Sequence, residues 1–331
     1  MTQSIKRREF ISLLGGAAAA WPLAARAQQP AVPVIGFLSS GSPRAFATLV
    51  AAFRQGLSEQ GYVEGRNVFI ADRWAEGHYD ELDGLANNLV RRRVRLIAAT
   101  GGVVSAKAAM KATATIPILF VIGTDPVQLG LVASLSRPGG NATGASVFST
   151  ELAPKRLELL HALGPGIRRT AILVNPGSVT TDIETRDAIA AAQLLGHPLV
   201  VLKASTESEI DPAFGLATQQ QVSALLVSAD PFFNTRRDHV VALAARHAIP
   251  VMYPWRDYVV AGGLMSYGTE LTWGYHLIGQ YAGRILKGEK PSDLPVQLPT
   301  RFNLVINLKT AQALGLDIPL NLLTLTDEVI E

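Results

Sequence analysis

The chain contains no cysteine, which removes disulfides, thiolate metal sites, a cysteine nucleophile and a lipid-modified N-terminal cysteine together. The compartment stays open on that ground, because an oxidising space tolerates a chain without cysteine. Enzyme signatures are missing as well: there is no G-x-S-x-G elbow, no phosphate-binding P-loop, no G-x-G-x-x-G and no H-E-x-x-H. The six histidines, at 78, 161, 197, 239, 247 and 276, show no metal-ligand spacing, and His239 and His247 read as solvated positions of one helix. Neither a cofactor nor a metal is expected.

A long apolar run is also lacking. The stretch 11–25 is mildly apolar, shorter than the ~20 residues that span a bilayer, and interrupted by Pro22. Lys6-Arg7-Arg8-Glu9-Phe10 precedes it and Ala25-Arg26-Ala27 follows as a small-x-small cleavage site, so residues 1–27 read as a twin-arginine export signal. Its removal leaves no stable membrane insertion. Taking Lys6, Arg7, Arg8, Arg26 and Glu9 out of the 30 basic and 27 acidic side chains leaves equal numbers of each sign. Nucleic-acid binding thereby loses its electrostatic footprint. The local cluster Arg91-Arg92-Arg93 sits where a helix C-terminus is expected and suits the helix dipole there.

What is present is enough for a large core: 331 residues, 48% hydrophobic and 17% charged, a size that favours two domains. The stretch IPILFVIGTDPVQLG, 116–130, carries an apolar β-branched run into Gly123-Thr124-Asp125-Pro126, which reads as a buried parallel strand delivering a polar loop. It has an echo in IPVMYPW, 249–255. Just upstream of each copy another strand ends in small or acidic residues, RLIAATGG (95–102) and SALLVSADP (223–231). Further strands read at 32–40, 67–74, 169–174 and 199–203, with helices between. Phe46, Leu49, Val50, Phe53 and Leu57 mark one buried helix face that Gly61 ends. The glycines and proline of 137–146 mark a turn or a crossing between domains. The expected fold is α/β, with two doubly wound lobes.

In such sheets ligands bind beyond the carboxyl ends of the strands. The candidates there are Ser39, Ser40, Thr100, Gly101, Thr124 and Asp125 in the first half, and Asn175, Asp230, Tyr253 and Trp255 in the second. They are mostly hydrogen-bonding groups, and each has a bland alternative as a helix cap or turn residue. The aromatic group Phe232, Phe233, Tyr253, Trp255 and Tyr258 lines either a pocket or an apolar contact between domains.

The runs GFLSSGSP, AAFRQGLSEQGYVEGRNV, DPVQLGLVASLSRPGGNATG, PKRLELL, GGLMSYG, GRILKGEKPSDLPVQ and FNLVINLKTAQALGL stand in the order found in one family. Over nearly the whole chain beyond the signal, the sequence resembles the substrate-binding proteins of ABC transporters that are related to the tryptophan and aromatic amino-acid binders. The resemblance implies a type I periplasmic binding fold with a hinge: lobe one from 28–147 plus 268–292, lobe two from 148–267 plus 293–331, crossings near 144–149, 266–269 and 291–295. It implies a small-molecule ligand, an amino acid or related solute, and an ABC permease as partner. By the same analogy Thr100-Gly101 and Thr124-Asp125 hold the ligand's carboxylate and ammonium, Asp230 closes on the ammonium, and Asn175 and Tyr267 are carried over by location. An exported enzyme and a ligand-sensing subunit of a signalling system are the alternatives.

Overall fold

The computed structural model describes residues 32–331, so the export segment read at 1–27, with Arg7, Arg8 and Ala27, lies outside the described residues. The first half runs β1 (Val34–Ser39), α1 (Ala47–Glu59), β2 (Phe69–Trp74), α2 (Leu82–Arg91), β3 (Leu96–Thr100), α3 (Val103–Ala112), β4 (Ile118–Ile122) and β5 (Ala142–Ser146). These strands form one parallel sheet in the order β2-β1-β3-β4-β5. Every residue of β3 and β4 is buried, as the continuous apolar runs LIAAT and ILFVI require of strands covered on both faces.

The second half continues with α4 (Ala153–His161), β6 (Thr170–Val174), α5 (Thr181–Leu194), β7 (Leu199–Lys203), α6 (Glu207–Gln219), β8 (Ala224–Val227), α7 (Pro231–Thr235) and α8 (Arg237–Arg246). It goes on through β9 (Val251–Tyr253), α9 (Arg256–Val260), β10 (Met265–Gly268), α10 (Leu271–Leu286), β11 (Asn303–Asn307), α11 (Leu308–Ala313), α12 (Leu320–Leu323) and β12 (Glu328–Ile330). The second sheet has the order β12-β11-β10-β9-β8-β6-β7, with β10 and β11 antiparallel and its other pairs parallel. The fold is thus two α/β lobes, each built on its own sheet.

The chain passes between the sheets at places that the sequence marks only in part. Residues 142–146, read as turn or crossing, form the edge strand β5 instead, and the passage follows it. Ala, Thr, Gly, Ala and Ser carry no strand pattern, yet Gly144, at φ +154, lets β5 lie against β4 where a Cβ would stand 2.0 Å from the Phe120 carbonyl oxygen. The passage expected at 266–269 begins as β10, still inside the second sheet. The return expected at 291–295 comes later, because Gln297 still bonds to the Gly144 carbonyl (3.0 Å) and Val296 to that of Leu135 (2.7 Å).

Helix α10 brings the chain back onto the first sheet. Tyr275, Ile278, Ala282 and Ile285 give it one apolar stripe, and glycines let it meet α1 backbone to backbone. A Cβ on Gly56 would lie 2.1 Å from the His276 carbonyl oxygen, and one on Gly279 2.1 Å from that of Phe53.

Candidate functional site

The polar chemistry gathers where the two sheets face each other, at the carboxyl ends of β1, β3, β4, β8 and β9. A cavity of about 50 Å³ lies there, with walls from both halves: Phe46, Gly101, Gly102 and Gly123 on one side, Ala229, Pro231, Asn234 and Trp255 on the other. Val121 and Ile122 of β4, Val147 and Ser149 of the first passage and Leu271 and Tyr275 of α10 complete it. Small-molecule pockets run to ~300 Å³ or more, so lobes in this position must part to admit a ligand of amino-acid size.

On the first lobe the expected residues converge. Ser40 Oγ donates to the Gly101 carbonyl, and the Ser39 hydroxyl accepts from the Gly41 N–H at 3.2 Å. Thr100 Oγ1 donates to the Leu38 carbonyl at 3.4 Å. Gly101 and Gly102, at φ +74 and +89, turn the chain tightly into α3, and a Cβ on Gly101 would stand 2.5 Å from Ser40 Oγ. The helix therefore presents its N-terminal N–H groups beside the cavity, where a carboxylate is favoured. Burial pushes the phenol of Tyr275 up, while hydrogen bonding to Thr100 and Gly101 pulls the other way.

Thr124 and Asp125 are not brought to this wall. Thr124 Oγ1 donates to Glu151 at 2.8 Å, beside the first passage. The Asp125 carboxylate accepts from the Val127 N–H at 2.8 Å and so holds its own turn; Gly123 takes the place in the wall.

On the second lobe Asp230 is 4% exposed and caps α7, with Oδ1 accepting from the Phe232 N–H at 2.9 Å. The same oxygen accepts from Asn175 Nδ2 at 3.0 Å and from Tyr79 OH at 2.7 Å. Tyr79 belongs to the first lobe, on the turn after β2, and its oxygen also accepts from the Phe232 N–H at 3.1 Å. Asp230 thus does reach across the cleft, but to a phenol. Burial raises its carboxyl above the usual range, against the pull of these hydrogen bonds. A second contact spans the lobes where the Arg236 guanidinium, stacked 4.2 Å over the Phe232 ring, reaches the turn of Gly77; a Cβ there would lie 2.8 Å from Arg236 Nη1.

Two aromatic candidates sit elsewhere. Tyr253, the last residue of β9, stacks on Tyr258 at 4.7 Å inside the second lobe, and Trp255, two residues on, reaches the cavity instead. Tyr267 turns its ring to Phe302, 6.2 Å away, and only its carbonyl takes part, accepting from Arg156 Nε at 2.7 Å.

Arg156 and Glu184, which sequence reading passed over, are buried behind the cavity. From α4 the Arg156 guanidinium binds the carbonyls of Tyr267 and of Ser149 (2.7 Å), so one side chain ties the first passage between the lobes to β10. Burial lowers its pKa to about 10, which leaves it cationic at neutral pH. Glu184 accepts from the Ala229 N–H at 3.2 Å, and burial outweighs the attraction of Arg156 to push its carboxyl up to about 8. An Arg at a helix position otherwise facing the core was the available signal: Arg156 stands one residue before Leu157 in the apolar stripe of α4. Among the described residues no group of three or more His, Asp or Glu side chains is placed to hold a metal ion.

Residues 32–330 match the model of the ABC transporter substrate binding protein family. The chain belongs to this family. It is 29% identical over 264 residues to a tyrosine-binding protein of Clostridioides difficile, covering 80% of this chain and 75% of that one. The crystal structure of an ABC domain in complex with L-Trp from Streptococcus pneumonia superposes with a TM-score of 0.80 at 26% identity, over 90% of this chain and 99% of that one. The ligand-free, open structure of a Clostridium difficile substrate binding protein with adhesive properties gives only 0.62 at 27% identity, over the same shares of the two chains. Tyr79 and Arg236 make contacts across the cleft, and residues 34–331 form one compact unit. Among the described residues no helix is long and apolar enough to cross a membrane.

Proposed function

We propose that the chain is the solute-binding component of an ABC importer, without catalysis of its own, and that it binds an aromatic amino acid between lobes that close like a hinge. The observation that carries this reading is the cavity between the strand ends, walled by Phe46, Trp255 and Tyr275 and bordered by the N-terminus of α3. An aromatic side chain gains by packing among those three rings. The ligand carboxylate is assigned to the N–H groups after Gly101 and Gly102, with Ser39, Ser40 and Thr100 holding that turn. The ligands of the two relatives, tyrosine and L-Trp, favour the same class.

Calorimetric titration with L-tryptophan and L-tyrosine, against L-lysine as control, tests the reading. Ligand at a hundred times its dissociation constant should also add ~2.7 kcal/mol to stability, since it binds only the folded chain. Heat from neither aromatic amino acid, or equal binding of lysine, would refute it.

The working site in this account is the periplasm, with a permease as partner and residues 1–27 removed after twin-arginine export. Changing Arg7 and Arg8 together to lysine is expected to leave precursor in the cytoplasm. Normal recovery of the processed periplasmic protein from that variant would exclude the route.

A further inference from the structure

The second lobe offers the cavity a polar side chain that no protein group satisfies. Asn234 is 3% exposed, stands in the cavity wall, and its Oδ1 has no hydrogen-bond partner. A buried carbonyl oxygen left so loses the water it had in the unfolded chain, a penalty that a native fold rarely carries without use. Its position is fixed. Pro231 opens α7, Asp230 caps it, and the Asn234 N–H bonds the Asp230 carbonyl at 3.2 Å. Asn234 and Asp230 are therefore one helical turn apart and on one face.

The rest of the wall has little to give this oxygen. Val121, Ile122, Val147 and Leu271 are apolar, and the Ser149 hydroxyl donates to the Gly123 carbonyl at 3.4 Å. One turn before Asn234, Asp230 keeps its Oδ1 for Tyr79, Asn175 and Phe232, and its Oδ2 has no partner. Two unsatisfied oxygens on one turn, one of them a carboxylate oxygen, form an acceptor set for a charged N–H donor.

We propose that Asn234 is a specificity-determining residue that accepts a hydrogen bond from the ligand's α-ammonium group, with Asp230 behind it supplying the opposite charge. This rests on the amino-acid reading above and adds that the site selects for the amine, not only for the ring. It also moves the direct contact from Asp230, which is absent from the cavity wall, to Asn234, which is part of it. Burial raises the carboxyl of Asp230, and an ammonium group one turn away offsets that penalty.

The test compares two pairs that differ only in the amine: L-tryptophan with indolepropionate and L-tyrosine with hydroxyphenylpropionate. The parent should prefer the amino acid of each pair by roughly 30-fold or more, the range of a desolvated charged hydrogen bond. Asn234→Leu removes both ends of the amide at similar volume, and should cancel at least ~10-fold of that preference, read as the ratio of the two affinities in each pair. Asn234→Asp, which keeps the size and adds charge, should retain or raise the preference, and it serves as the reading if the leucine variant fails to fold. An undiminished preference in Asn234→Leu, or its loss in Asn234→Asp, would overturn the assignment alone. A parent that binds amine-free acids as tightly as amino acids would overturn it and leave an aromatic-acid site standing. A parent that binds none of the four would refute the amino-acid reading, and the assignment with it.

Discussion

A methyl group added at Gly279, or at Gly56, is expected to weaken the protein, although alanine is the better helix former by ~1 kcal/mol. The two effects oppose each other, so the sign is informative. Each new Cβ would have to occupy space 2.1 Å from a carbonyl oxygen of the facing helix, and neither obstacle is a flexible side chain. Helices α1 and α10 must move apart, and overpacking of this kind destabilises by ~1–3 kcal/mol per site, occasionally more. Gly56→Ala and Gly279→Ala should each lower the urea midpoint, and the double variant should lower it further. Gly84→Ala in α2 is the control: nothing lies within 4 Å of its added Cβ, so propensity should win and the midpoint rise slightly. Stabilisation by all three changes would mean that α10 does not lie on α1 as described.

Replacing Arg156 by leucine is expected to be the most damaging single change near the cavity. The carbonyls of Ser149 and Tyr267 lose their donor, and that donor is a wholly buried guanidinium. Hydrogen bonds to a charged group contribute ~1.5–3 kcal/mol each, so losing two lowers the melting temperature by the order of 10 °C for a chain of this size. The pH dependence has a definite sign. The carboxyl of Glu184 is raised in the folded state from the usual 4.5 to about 8, so its contribution to stability is fully present below about 4.5 and is lost as the pH rises through about 8. The parent should therefore lose stability between pH 5 and pH 9, Arg156→Leu should lose more, and Glu184→Gln should flatten the curve. Melting curves across that range decide the point, and a parent that gains stability on the alkaline side while Glu184→Gln does not would contradict it.

The strands were legible where chemistry and pattern agreed. The runs VIGFLS, LIAAT, ILFVI and ALLV are apolar and followed by small or polar residues, and each lies away from the edges of its sheet. β5 was not legible, because an edge strand of small residues around Gly144 has the composition of a loop; what makes it a strand is β4 beside it. The position of candidate residues after strands was equally readable, and it brought Ser39, Ser40, Thr100, Gly101, Asn175 and Asp230 to the facing ends of the sheets. Direction was not. Tyr253 and Trp255 differ by two residues, yet one stacks within its lobe and the other walls the cavity, since the strand ends between them. Asp125 and Asn175 both follow strands, and one closes a local turn while the other binds a carboxylate from a distant segment. Tyr79 lies 151 positions from Asp230, a distance over which local pattern carries no information.

Closure of the two lobes on an aromatic amino acid is the centre of this account, and small-angle X-ray scattering measures it directly. Solutions of the protein should scatter as a more open particle without ligand, and the radius of gyration should fall when L-tryptophan or L-tyrosine is added to saturation, with no change on adding L-lysine. Saturation proven by calorimetry in the same sample, with a scattering curve identical to that of the free protein, would show a ligand bound without movement of the lobes and would contradict the hinge.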